Sequence, residues 1–354
     1  MEWAQLSPQD SNDFLNAVTD SAEPAIFDAA LCDVYGLPIS FYDGYHLIRI
    51  VNRHMMPYLT LDYLSNGEDH YYLDGSEAAF HKLNARQALS LSDDNAINYL
   101  DFYISYVYER GNSLDFIRKK DSHSAALLGS DDGGRFKIEA PLSYQGGEIN
   151  AQILVETNGA IHIEAPLRTS FLTELQPHIE INYRHPMEEK ILGEAKSLLA
   201  QSVTGQALLD KVQNSAIDLR ILNSPNYQGY IANNLTIYLT MPSAEQTGKY
   251  LQAIVLAYCL RDADQISNGF TRPSYKDDKT KFISTNHLKN LDMIEEICTI
   301  VEELEGQNIP EAYAGLEALD LEDVYQAYKN NVEGPELMQV YIDSLEKKDL
   351  VEGA

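Results

Sequence analysis

Basic residues are scarce in this 354-residue chain. Twenty-six lysines and arginines stand against 54 aspartates and glutamates, a formal charge of −28. A surface of that sign repels phosphate backbones and anionic lipid headgroups, which disfavours nucleic acid and membrane surfaces as partners. Cysteine is nearly absent: Cys32, Cys259 and Cys298 are odd in number, widely spaced and free of any CxxC. That excludes a disulfide framework and fits a reducing cytoplasm. No apolar run approaches the ~18 residues that would suggest a bilayer span. The N-terminus, MEWAQLSPQDSND, lacks the basic end and apolar core of a secretory signal. Histidine is rare where it would matter most, because His287 is the only one after His185. There is no Walker loop, no G-x-G-x-x-G and no G-x-S-x-G, so nucleotide use and esterase chemistry have no local support.

What the chain does have is apolar content, 44% of residues, enough for a sizeable core. Three segments are expected. In residues 1–40 the spacing of Phe14, Leu15, Val18, Ile26, Ala29 and Ala30 predicts a helical arm over Ser7–Gly36. From Phe41 the period changes to two. Tyr45–Val51, Tyr58–Leu64 and His70–Leu73 read as strands, followed by a loop over Ser76–Asn84. Ser92 or Asp93 should cap a helix reaching about Glu109. Leu114–Arg118, Arg135–Leu142, Ile149–Glu156 and Ala160–Ile163 then read as strands, the last three as a meander around Gly146-Gly147 and Asn158-Gly159. Residues 41–184 are thus an α+β module, an antiparallel sheet with one long helix, although Phe171–Tyr183 fits no period clearly.

Residues 185–354 are mainly helical with a short sheet. Met187–Gln201 and Gln206–Gln213 are amphipathic. Asn214–Gln265 reads as strands leading into a long apolar helix, and Asn286–Leu304 as another. Ala312–Asn330 and Pro335–Leu345 close the chain as acidic helices. From Asn290 onward 17 acids face three lysines, a charge of −14 and half of the whole excess.

Two parts of the chain resemble bacterial proteins. Leu47-Ile48-Arg49 with Arg53, Leu73-Asp74-Gly75 with His81-Lys82-Leu83-Asn84-Ala85, and Asn95–Val107 resemble a module found in uncharacterised bacterial proteins. In the C-terminal part, Ile217–Ile221, Tyr227–Ile231 and Leu235–Pro242 precede a helix containing Ala253–Gln265, with Asn290–Glu303 farther on. This order resembles a bacterial family of zincin-type metallopeptidases, and the resemblance implies a zincin-like fold. In that family an H-E-x-x-H helix supplies two imidazoles at i and i+4 and a glutamate base, and a later helix supplies the third zinc ligand. Here the two histidine positions fall on Tyr258 and Asp262, the glutamate position on Cys259, and the third ligand at Asn290, with Asp292 two residues on. The resemblance therefore implies a scaffold that has lost its zinc, and no zinc or other cofactor is expected.

The residues leave other readings open. Tyr258 and Cys259 suit a packed interior as well as a ligand set. Asp262, Asp264 and Asp292, with Glu295 and Glu296, could hold a hard cation or simply face solvent. His287, one turn before Asn290, could join Asp262 and Asp292 in an unusual hydrolytic metal site. His81 and Asn84 could form a binding loop or hold that loop's own backbone. The preferred expectation is a cytoplasmic pseudo-metallopeptidase that binds another protein or acts as a scaffold. The alternatives are a metal-dependent hydrolase with a carboxylate-rich site, and an assembly role for the N-terminal module.

Overall fold

The computed structural model describes residues 3–19, 24–53, 58–86, 89–107, 117–119, 125–131, 133–144, 147–164, 186–213, 215–222, 229–231, 235–240, 248–271 and 273–346. The fold is α+β, with antiparallel sheets in the N-terminal half and mostly helices in the C-terminal half. The ambiguous Phe171–Tyr183 lies outside the described residues.

Five strands form the first sheet in the order β1-β2-β3-β4-β5, all antiparallel: β1 (Ala4–Gln5), β2 (Cys32–Pro38), β3 (His46–Asn52), β4 (Leu59–Ser65) and β5 (His70–Tyr72). The period of two sorts side chains to opposite faces. Ile48 and Ile50 of β3 join Val34 and Tyr63 in packing against Phe14 and Leu15 of helix α1 (Pro8–Val18). Leu47 and Leu64 point the other way, into a larger aromatic core. Helix α1 starts where Ser7 accepts a hydrogen bond from the Asp10 amide at 3.2 Å and Pro8 fills the first turn.

Residues 1–40 are therefore not a helical arm. The helix ends at Val18, and Cys32–Pro38 is a strand inside the sheet. The apolar spacing of Ile26, Ala29 and Ala30 imitates a helical period without forming an α-helix. Cys32–Pro38 instead pairs residue by residue with His46–Asn52, and Val34 and Tyr35 are both buried.

Helices α2 (Glu77–Arg86) and α3 (Ala96–Tyr106) follow, then β6 (Ile117–Lys119), β7 (Ala126–Ser130), β8 (Phe136–Tyr144), β9 (Gly147–Val155) and β10 (Ile161–Glu164). These strands make a second antiparallel sheet, β10-β9-β8-β6, with β7 also paired to β8. Tyr99, Leu100, Phe102 and Tyr103 of α3 share one core with Leu47 and Leu64 of the first sheet and Ile138 and Ile153 of the second. Two antiparallel sheets share this core, where one antiparallel sheet was expected. Ser76–Asn84, expected as a loop, is mostly α2, whose Phe80 and Leu83 are buried one turn apart. The cap of α3 is Asn95, not Ser92 or Asp93. Its side chain turns back to accept from the Ser92 amide and to donate to the Ser40 and Ser90 carbonyls.

The C-terminal half comprises α4 (Pro186–Leu199), α5 (Val203–Gln213), β11 (Asp218–Leu222), β12 (Gly229–Ile231), β13 (Thr236–Thr240), α6 (Gly248–Ser267), α7 (Lys279–Gly306), α8 (Tyr313–Glu317), α9 (Glu322–Lys329) and α10 (Gly334–Glu346). Its sheet has the order β11-β13-β12, with β11 parallel and β12 antiparallel to β13. Helix α6 is the centre of this half. Every residue from Ala253 to Leu260 is buried, as expected of a helix apolar all round. Helix α7 begins earlier than Asn286, capped by Asp278, whose side chain accepts from the Lys281 amide at 2.9 Å. The helix expected over Ala312–Asn330 is broken into α8 and α9 by a turn at Asp320, which has a φ of +61°.

One polar contact fixes α5 on α7. The Glu303 carboxylate accepts from Ser202 Oγ at 2.6 Å and from the Thr204 amide and Oγ1, each at 2.9 Å. These donors occupy the otherwise unsatisfied N-terminus of α5. Burial works against the Glu303 charge, but the donors prevail and hold its carboxyl below the usual glutamate range. A depressed folded value means stabilisation that is present above the ordinary carboxylate pKa and lost as pH falls through the folded one. Glu303→Gln is expected to cost about 1 kcal/mol at neutral pH and to flatten the acid limb of the stability profile. Urea midpoints of both proteins measured across that limb check it.

Candidate functional site

Helices α6 and α7 bring the sequence-matched positions together. The Tyr258 hydroxyl donates to Asn290 Oδ1 at 2.9 Å, and Asn290 Nδ2 donates to the Tyr341 hydroxyl of α10 at 3.1 Å. All three residues are buried, Tyr341 completely. Burial pushes the Tyr341 phenol up to about 12, opposed by its bond to Asn290. This chain of two hydrogen bonds supplies partners to polar groups in the core.

Cys259 is 1% exposed. Burial, and then the charge of Asp262, push its thiol well above the usual cysteine range, with Lys289 opposing. It lies in the apolar core, the setting in which cysteines are usually inert. His287 is also buried, and burial holds its imidazole below the usual histidine value. Its ring meets the edge of Tyr341, with centroids 6.2 Å apart and planes at 88°.

The acids are engaged by cations. Asp262 forms an ion pair with Lys289, whose side chain is only 2% exposed and whose ammonium lies 5.6 Å above the Phe270 ring. Asp292 takes a two-pronged pair from Arg261, Nε to Oδ2 at 2.9 Å and Nη2 to Oδ1 at 3.0 Å, and also accepts from Gln265. Asp264 accepts from Arg261 Nη1 and from Lys211 Nζ, both at 2.9 Å, and Glu296 lies 3.8 Å from Arg261 Nε. Lys289 and Arg261 are the residues that sequence reasoning missed. A charge of opposite sign lies on each helix, but only the packing register of α6 on α7 says which pairs with which.

At the matched positions the Tyr258 hydroxyl bonds Asn290, the Cys259 thiol is buried and Asp262 is ion-paired with Lys289. Among the described residues no group of three or more histidines, cysteines, aspartates and glutamates is disposed to hold a metal ion.

In the N-terminal half, His81 and Asn84 lie one turn apart on α2. His81 is exposed, while Asn84 reaches into the aromatic core. Asn84 Oδ1 accepts from the Tyr42 hydroxyl, Asn84 Nδ2 donates to the Tyr99 hydroxyl at 2.9 Å, and that hydroxyl donates to the Gly159 carbonyl at 2.8 Å. Asn84 thus ties α2 and α3 to the turn between β9 and β10, and does not serve its own loop. Burial pushes the Tyr99 phenol up to about 12, with Asn84 and Tyr42 opposing.

Comparison of the chain with protein-family models, curated proteins and solved structures gave no match. Among the described residues no helix is long and apolar enough to cross a membrane.

Proposed function

We propose that the C-terminal half is a non-catalytic, zincin-like unit that works by binding another protein, as a scaffold or adaptor in the cytoplasm. The observation that carries this reading is the buried Tyr258–Asn290–Tyr341 chain. At the positions where the resemblance puts imidazoles and a water-activating glutamate, Tyr258 bonds Asn290, Asp262 pairs with Lys289, and Cys259 is buried. The docking face in this proposal is the acidic surface of α7 to α10. A partner carrying exposed lysines and arginines suits it, with charge favouring fast encounter and strong salt dependence.

A hydrolase reading would need Asp262, Asp292 and His287 to converge on a cation. Two of these instead face basic side chains, and the third packs on Tyr341. A peptidase screen of the full chain with added divalent metals is expected to give no turnover above buffer. Turnover that disappears in Asp292→Asn would overturn the proposal. For the binding role, a stoichiometric partner captured at low salt should be released as salt rises. It should also be lost when Glu322, Asp323 and Glu336 are changed to lysine. Capture indifferent to both would count against it.

A further inference from the structure

Helix α10 touches both halves of the molecule. Leu337, Tyr341 and Leu345 recur at four-residue steps along one face and are all buried. Midway along, Tyr341 is held by Asn290 and flanked by His287. Near the end of α10 the Leu345 carbonyl accepts from Arg53 Nη1 at 2.7 Å. Arg53 follows β3 in the N-terminal half and is ion-paired with Asp33 of β2. Tyr58, just before β4, packs against the C-terminal core. Burial, and then the neighbouring Tyr341, push its phenol up to about 12. A cavity of about 190 Å³ lies at this seam, lined by Leu31, Cys32, Asp33, Arg53, Ile342 and Leu345.

We propose that α10 is a clasp that opens as one piece, so that the Arg53–Leu345 bond at the N-terminal sheet and the Asn290–Tyr341 bond at the α6–α7 pair strengthen or loosen together. The two anchors are four residues apart, about 6 Å of helix. Moving one without the other would require bending the helix and breaking its backbone bonds. The linkage is reciprocal. A partner whose carboxylate competes for Arg53 would loosen the Tyr258–Asn290–Tyr341 chain, and a change in that chain would be felt at the N-terminal sheet. The clasp does not depend on whether the C-terminal unit is catalytic.

Cys32 reports on the seam. It lines the cavity, whereas Cys259 and Cys298 are deeply buried. The experiment is N-ethylmaleimide labelling of the full-length protein under native conditions, with each cysteine followed by mass spectrometry. Arg53→Met, which removes a charged donor, is expected to speed Cys32 labelling about tenfold or more. Tyr341→Phe, whose lesion is at the other anchor, should also speed it severalfold, while Cys259 and Cys298 stay unlabelled in both. Wild-type labelling of Cys32 in either variant would overturn the clasp. Should Cys259 label in Arg53→Met, the chain has opened globally. Arg53→Lys, which keeps a donor, is then judged by the same two outcomes.

Discussion

Asp262→Ala is expected to destabilise the protein by about 3–5 kcal/mol, the usual cost of leaving one partner of a buried ion pair without the other. The charge left behind belongs to Lys289, with its side chain 2% exposed beneath Phe270. Lys289→Met should cost less, because the carboxylate it strands is partly exposed, 15% against 2% for the lysine. The double variant Asp262→Leu/Lys289→Met should recover most of either loss, since apolar replacement of a whole buried pair is often neutral. Urea unfolding of the four proteins closes this cycle and gives the pair's own energy. Single losses under 1 kcal/mol, or losses that simply add, would mean that the pair is not what holds α6 on α7 here.

The second large effect is expected at Gly159, in the turn between β9 and β10. Its φ is +86°, and a Cβ there would stand 2.2 Å from Asn84 Nδ2, 2.5 Å from the Tyr99 hydroxyl and 2.8 Å from Leu89 Cδ2. Left-handed backbone costs a non-glycine residue of order 1–3 kcal/mol, and overpacking adds typically 1–3 kcal/mol. Gly159→Ala should therefore lose about 2–6 kcal/mol. It should also break the Asn84–Tyr99–Gly159 chain that joins α2, α3 and the second sheet. Thermal unfolding with a near-ultraviolet tyrosine signal would show both the loss and its place. Gly67 makes a useful contrast: its φ is +90° but a Cβ would meet nothing within 4 Å, so Gly67→Ala should carry only the backbone part.

Much of this architecture is legible in the sequence where apolar spacing is strong and local. The meander of β8 to β10 follows from alternation broken by Gly146-Gly147 and Asn158-Gly159. The run from Ala253 to Leu260 gives α6, and Leu291, Ile294, Ile297, Cys298, Val301 and Leu304 give α7. The failures are equally physical. Strand β2 has buried residues side by side at Val34, Tyr35 and Gly36, and helical steps just upstream hide its period. Helix α2 offers only Phe80 and Leu83 as an apolar pair, too little to outweigh its polar neighbours. At the site, the sequence displays Tyr258, Cys259, Asp262, Asn290 and Asp292 as a set. It cannot reveal that Tyr341, far along the chain, completes the hydrogen-bond chain. Nor can it show that Lys289 and Arg261 neutralise the acids. Those facts depend on the rotation of α6, α7 and α10 about their axes, which no single helix specifies.

The account turns on the Tyr258–Asn290–Asp262 region being complete without a metal. A ligand that binds only the folded state stabilises it by an amount that grows with the logarithm of ligand concentration over Kd, and so raises its unfolding temperature. The most direct measurement is thermal unfolding of the full-length chain in chelator, and with zinc, manganese or calcium added in excess. The account predicts superimposable transitions throughout. A metal-dependent rise of several degrees that vanishes in Asp262→Asn or Asp292→Asn would contradict it.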